Sequence, residues 1–171
     1  MNQQIIEWAK ARKIIPNSTA IAQKCKTYEE FAELFTAAHK RDDEAFKDGI
    51  GDVFVTLVIG NELRPDIEYE NLDRELILAQ DKDLFYILDY TAHKIANDDY
   101  QMAIVLLHKA VKKYGNGITW QDCLNTAWND IKDRTGEMGD DGIFYKDILC
   151  TTCNHKFLDK PRGRGCPTCK K

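Results

Sequence analysis

An all-α architecture with a small metal-bound appendage at the C-terminus is predicted by three features of the 171-residue sequence. Apolar residues recur at three- and four-residue spacing along most of the chain, which is the period of a helix with one buried face. Proline and glycine interrupt that pattern at only a few places. Four of the six cysteines form two C-x-x-C pairs close to the C-terminus. Residues 1–147 therefore read as a helical domain and residues 148–171 as the appendage.

The breaks fall near Pro16, from Gly60 to Pro65, from Gly115 to Gly117 and from Gly136 to Gly142. From Thr27 to Lys40 the residues Tyr28, Phe31, Ala32, Phe35 and Ala38 keep the helical spacing, and Thr27 followed by Glu30 has the form of a capping box. Leu84 to Asn97, Tyr100 to Lys113 and Trp120 to Arg134 show the same period. Val53 to Ile59 is apolar throughout. Its valines suit a strand by propensity, so a buried helix ranks first there and a strand second.

Charged residues make up 30% of the chain and hydrophobic ones 43%, the balance of an ordinary globular protein. No apolar run reaches bilayer-spanning length, and Glu7 and Lys10 interrupt the stretch that a secretory signal would need; a cytoplasmic protein with no membrane contact is expected. Cys25 and Cys123 are then spare thiols in a reducing compartment. The formal charge of −4 is uneven. Residues 150–171 carry six Lys or Arg against Asp159, hence +5, which leaves −9 on residues 1–149. The main body is thus a poor partner for nucleic acid.

Cys150 and Cys153, then Cys166 and Cys169, are separated by twelve residues. Each pair makes a knuckle with converging sulfurs, and two knuckles supply the four thiolates of a tetrahedral Zn²⁺ site. Four sulfurs make His155 unnecessary as a ligand and leave no open position for water, so a structural zinc ribbon is expected. Lys156, Lys160, Arg162 and Arg164 could contact nucleic acid or a protein partner, but solvated loop charges are the simpler reading.

Two groups of acids carry the chemical interest. Glu29, Glu30 and Glu33 fall within one arc of roughly 100° on a helix, and Asp48 and Asp52 within roughly 40° of each other. On facing helices they would gather carboxylate oxygens around a hard divalent cation, as Mg²⁺ is held beside substrate phosphates. The three glutamates lie opposite Phe31 and Phe35, where any surface helix puts its charges. Asp52 is less easily dismissed. It leads into the wholly apolar Val53–Ile59 run, and a carboxylate bordering a buried segment is costly unless paired or metal-bound. Gly49 and Gly51 point to close approach by another element or by a ligand.

The strings Q-K-C-K-T-Y-E-E-F-A-E-L (Gln23 to Leu34), D-G-I-G-D-V-F-V-T-L (Asp48 to Leu57) and A-W-N-D-I-K-D-R-T-G-E-M (Ala127 to Met138), in that order, resemble the MazG-like all-α nucleotide pyrophosphohydrolases, in particular their small phage-encoded branch. The resemblance covers roughly residues 1–147, loosely over 65–117, and excludes the ribbon. It implies Mg²⁺-dependent hydrolysis of a nucleoside triphosphate to the monophosphate and pyrophosphate, in the host cytoplasm if the chain is phage-encoded. By the same resemblance Glu30, Glu33, Asp48 and Asp52 would hold Mg²⁺, and Glu29 would orient the attacking water. Asn129, Lys132 and Arg134 would contact the phosphates, and Gln23 and Lys26 would line the nucleotide pocket. One departure is that many members carry an acid where Gly49 stands, with Asp48 one residue earlier.

The competing reading is a helical scaffold presenting the ribbon to nucleic acid or a protein, which the −9 body disfavours. A di-metal oxidase would want histidines three residues after glutamates, and His39, His93 and His108 are not so placed. Finally, Thr36 to Phe46 and Thr91 to Tyr100 share an A-H-K core followed by an acidic step. Aligned through these, Glu30 and Glu33 fall on Leu84 and Ile87, and Asp48 and Asp52 on Ile104 and His108. A worn duplicate of the catalytic helix pair is expected. It would build a four-helix core within one chain, with Leu84 to Lys113 facing the glutamates of the Glu30 helix; a homo-oligomer is the other arrangement.

Overall fold

The computed structural model describes residues 1–64, 82–159 and 166–169. Its helices are α1 (Asn2–Ala11), α2 (Ile14–Asn17), α3 (Ala20–Lys40), α4 (Asp43–Glu62), α5 (Leu84–Ala96), α6 (Tyr100–Tyr114) and α7 (Trp120–Ile131). Three short strands follow: β1 (Gly136–Met138), β2 (Phe144–Leu149) and β3 (Lys156–Leu158). The fold is mostly helical, but the all-α expectation omits this sheet. Its strands lie in the order β1-β2-β3, both pairings antiparallel. No helix among the described residues is long and apolar enough to cross a membrane.

Helix α4 is the axis of the molecule, and Val53–Ile59 lies in its buried second half. Apolar on every side, it packs against neighbours all round. One core joins Leu34 of α3, Ile50, Val53 and Leu57 of α4, Leu88 and Ile95 of α5, and Ala103 and Leu107 of α6. A second joins Ile5, Trp8 and Ala9 of α1 to Phe54, Val58 and Ile59 of α4 and Ala127 and Ile131 of α7. As a helix that is apolar on every side, the segment turns residues toward both cores at once.

Helix α3 starts seven residues before the predicted capping box. Its N-cap is Thr19, whose hydroxyl accepts from the Ala22 N–H at 3.1 Å. Thr27 instead lies buried in the helix interior and donates to the Gln23 carbonyl one turn back. A complete capping box opens α7, between Thr119 and Asp122.

The two central hairpins turn in the same way. Arg41 (φ 57°) and Asp98 (φ 60°) are the left-handed residues between α3 and α4 and between α5 and α6. Asp42 and Asp99 follow as N-caps, accepting from Ala45 and Met102. Asp42 N–H returns to Ala37 O, and Asp99 N–H to Lys94 O. All these pairs are offset by 57 residues, from Arg41 to Asp98, so the sequence alignment through A-H-K was three residues out of register. At the structural offset Glu30, Glu33, Asp48 and Asp52 correspond to Ile87, Tyr90, Val105 and Lys109. The second hairpin keeps the packing and lacks the acids.

Helix α5 meets α3 through the aromatic stripe, with Phe35 and Phe85 ring centroids 5.4 Å apart. The glutamate face does not turn toward α5 and α6, contrary to the duplicate argument. Phe31 and Phe35 occupy that contact, and Glu30 looks toward α4 and α7.

Candidate functional site

The antiparallel α3/α4 hairpin sets Glu30 and Asp52 at the same level on two adjoining helices. Around them lies a cavity of about 110 Å³, well above the ~10–15 Å³ that one water needs. Helix α3 supplies Ala22, Gln23, Lys26 and Glu30; α4 supplies Asp52, Val55, Thr56 and Ile59. Trp8, Ile14 and Ser18 close one side, Ile131 and Arg134 another, and Gly142, Ile143 and Phe144 the last. Glu30, Asp52, Lys26 and Arg134 are the charged residues of the lining, Ser18, Gln23 and Thr56 are polar, and Trp8, Ile14, Val55, Ile59, Ile131, Ile143 and Phe144 are apolar.

The charged groups in and beside the lining carry an excess of negative potential. Burial pushes the Asp52 carboxyl up to about 7, and Glu30, Asp48 and Asp130 push the same way against Arg134. Asp48, half-buried, is also raised, by burial first and then by Asp130 and Glu30. Lys26 Nζ lies 2.7 Å from Glu30 and 3.0 Å from Glu29. Burial opposes its charge, but the two glutamates outweigh that and raise its pKa. Carboxylates that repel one another in a partly buried site, with hard oxygen donors, suit a divalent cation.

Helix α7 ends at Ile131, and its last carbonyls are satisfied from α1. Trp8 Nε1 donates to Ile131 O at 2.7 Å, while Arg12 donates to the carbonyls of Lys132 and Arg134. This tie holds the stretch that carries Arg134 against the cavity. Arg12 in turn stacks over Trp8, 4.8 Å from the ring centroid.

Of the residues singled out in the sequence, Gln23, Lys26, Glu30, Asp52 and Arg134 line the cavity. Asp48 sits beside it and is coupled to Glu30 through charge. Glu29 and Glu33 are solvent-exposed. Asn129 and Lys132 pair with each other at 3.0 Å on the surface, and Asn129 faces a separate groove with Lys47 and Asn125. Asp130 went unnoticed in the sequence although it lies four residues before Arg134. Trp8, Ile143 and Phe144 were missed because they come from segments far apart in the chain.

The four cysteines are brought together. Their sulfurs all lie within 4.8 Å of one another, with separations of 3.5 Å for Cys150–Cys169, 3.6 Å for Cys153–Cys166 and 3.3 Å for Cys153–Cys169. A tetrahedron of thiolates about 2.3 Å from zinc has edges of about 3.8 Å, so the cluster fits a metal such as zinc. The backbone N–H groups of Cys153 and Thr152 point at Cys150 and lower its thiol pKa, as a thiolate ligand requires. Exposed His155 is not part of the cluster. Among the described residues, these cysteines form the group of three or more such side chains drawn this close; the carboxylates stand further apart. Lys160, Arg162 and Arg164 lie outside the described residues.

The cluster is joined to the cavity through β2. Phe144, at one end of that strand, lines the cavity, and Cys150 directly follows the other end. Strand β3 pairs along its second half, Asp147 with Leu158 and Leu149 with Lys156. Lys156 Nζ reaches Asp147 at 2.7 Å and Thr135 at 3.1 Å, next to Arg134.

Over 57 residues, 33% of this chain, the sequence is 40% identical to an uncharacterized 18.2 kDa protein of the rep-hol intergenic region of Haemophilus phage HP1 (strain HP1c1). The match covers 35% of that protein, about a third of its length. No family profile matches the chain, and no solved structure matches it.

Proposed function

We propose that the chain is a Mg²⁺-dependent nucleoside triphosphate pyrophosphohydrolase of the MazG-like kind, cutting between the α and β phosphorus atoms. The observation that carries this reading is one cavity whose lining combines acids and cations with a set of apolar side chains. That is the combination a nucleotide requires, because its phosphates need charge and metal while its base needs apolar contacts.

Glu30 and Asp52, with Asp48 beside them, are the residues to hold the cation, and Glu33 would join them by rotating inward from the surface. Bound there, Mg²⁺ would neutralise the triphosphate and make a water molecule more acidic. Arg134 is held at the cavity by α1 and offers a planar fork to a phosphate. Lys26, now paired with Glu29 and Glu30, can pass to a phosphate oxygen and free Glu29 to orient water. Asp52, whose carboxyl sits near 7, must lose its proton to serve as a ligand, which a divalent cation favours. In the same reading the cysteine cluster holds a structural Zn²⁺ that fixes the end of β2.

Incubation with a panel of ribo- and deoxyribonucleoside triphosphates and Mg²⁺ tests the reaction class. Monophosphate and pyrophosphate are expected from at least one nucleotide; diphosphate and orthophosphate, or no turnover of any, would refute it.

A further inference from the structure

Gln23 is 6% exposed, yet it lines the cavity. Its Nε2 donates to the Thr56 carbonyl at 3.1 Å. Because a carbonyl can only accept, this bond fixes the amide with nitrogen toward α4, and Oε1 follows. Oε1 has no hydrogen-bond partner among the described residues, and no side-chain oxygen or nitrogen there is both fully buried and unpartnered. The oxygen therefore opens onto the cavity. A buried amide oriented from behind, with an acceptor presented to the cavity, is built to receive an N–H donor.

The position of that acceptor identifies the donor. Gln23 precedes Glu30 by seven residues on α3, and Ile59 follows Asp52 by seven on antiparallel α4. At the helical rise this is about 10 Å along the cavity from the acids. Ile59 of α4 stands at that level; Ile14, Ser18 and Thr56 also line the cavity, with Trp8 among its apolar residues and Lys26 one turn from Gln23 toward the acids. Phosphate and sugar hydroxyls are poorly suited to such walls; a flat heterocycle with an N–H on its edge is well suited.

We infer that Gln23 is the base-reading residue of the cavity: its Oε1 accepts from a ring or exocyclic N–H of a nucleobase lodged between α3, α4 and the Trp8 side. The inference rests on the nucleotide reading above, and it adds which end of the ligand enters first and what part of it is recognised. A site that hydrogen-bonds a buried donor rejects the analogue lacking it, since the acceptor would be left unpaired.

The test is binding of free nucleosides, without phosphate or Mg²⁺, followed by the intrinsic tryptophan fluorescence to which Trp8 contributes. Each of the four common ribonucleosides is compared with a counterpart in which methyl groups replace every edge N–H, in the wild type and in Gln23→Met, with ribose 5-phosphate as control. At least one nucleoside should bind to the wild type, and methylation should weaken it at least about tenfold. Gln23→Met should lose a similar factor for the unmethylated nucleoside and show little further effect of methylation. That loss of coupling separates recognition from a disturbed fold, because both ligands meet the same variant protein. Equal discrimination by wild type and Gln23→Met would overturn the inference. So would nucleoside triphosphates that bind with Mg²⁺ while no nucleoside binds, which would leave the pyrophosphohydrolase reading standing. Failure of every nucleotide and nucleoside would remove both.

Discussion

Asp52 of α4 and Glu30 of α3 face one another across the hairpin, and Asp52 carries the strain of that arrangement. Its carboxyl is raised to about 7 from 3.8, by burial first and by Glu30 next. The unfolded chain releases this proton near 3.8, whereas the folded chain keeps it to about 7. Between those values the native state binds more protons, so this group lowers stability as pH rises through the window, with no further loss above about 7. Asp52→Asn should therefore be more stable than the wild type at pH 8, by an amount on the order of a few kcal/mol at most, and the two should converge near pH 4. Excess Mg²⁺ should stabilise the wild type at pH 8 and leave Asp52→Asn nearly unaffected. Urea titrations at several pH values check both, and parallel curves with no pH-dependent gap would contradict the assignment.

The residue before Asp52 has a second role. A Cβ on Gly51 would come within 2.4 Å of the Cys123 carbonyl oxygen and 2.7 Å of Ala127 Cβ, both on α7. Neither neighbour can withdraw cheaply, because one is backbone and the other is buried. Gly51→Ala should cost about 1–3 kcal/mol through overpacking, and more than any gain from helix propensity. The midpoint of urea denaturation should fall accordingly; an unchanged or raised midpoint would show that α7 can move away from α4.

Much of this was legible in the sequence, for identifiable reasons. The helices at Leu84, Tyr100 and Trp120 begin where their periodic patterns begin, and each has an Asp or Thr cap immediately before it. Asp52 could be found because an acid beside an all-apolar helix is costly, whereas Glu30 was singled out through the string Q-K-C-K-T-Y-E-E-F-A-E-L and the resemblance it carries. The start of α3 was misplaced because Thr27 can serve either as a cap or as a helix-interior hydroxyl bonded to Gln23, and the local string fits both. Gly136 to Gly142 reads as a break, yet it includes β1, whose pairing with Phe144 to Lys146 depends on residues beyond it. Asn129 and Lys132 share a block with Arg134, but α7 ends at Ile131, so Asn129 lies in the helix and Arg134 in the stretch beyond it. The bonds from Trp8 to the Ile131 carbonyl and from Arg12 to the Lys132 and Arg134 carbonyls hold that stretch beside the cavity, and no local spacing encodes them.

The shared strand has a consequence for metal removal. Chelation should release one equivalent of zinc and loosen β3, since residues 148–171 are too few to form a core of their own and depend on the metal to converge. Amide exchange should accelerate at Asp147 to Cys150 while the amides of α4 and α6 stay protected. Cys166→Ser should reproduce the exchange pattern without a chelator. Uniform acceleration across α4 would show that the ribbon and the helices unfold together, and no zinc in the purified protein would contradict the metal assignment.

The central claim is that Asp52 belongs to a cation site that hydrolyses a nucleoside triphosphate, and the most direct measurement is the Mg²⁺-dependent release of pyrophosphate by Asp52→Asn beside the wild type. Asparagine keeps the size and removes the charge. The expected result is a folded variant whose turnover falls at least about a hundredfold, the scale of losing one well-placed electrostatic group. A variant that releases pyrophosphate at the wild-type rate with the same Mg²⁺ dependence would contradict the account.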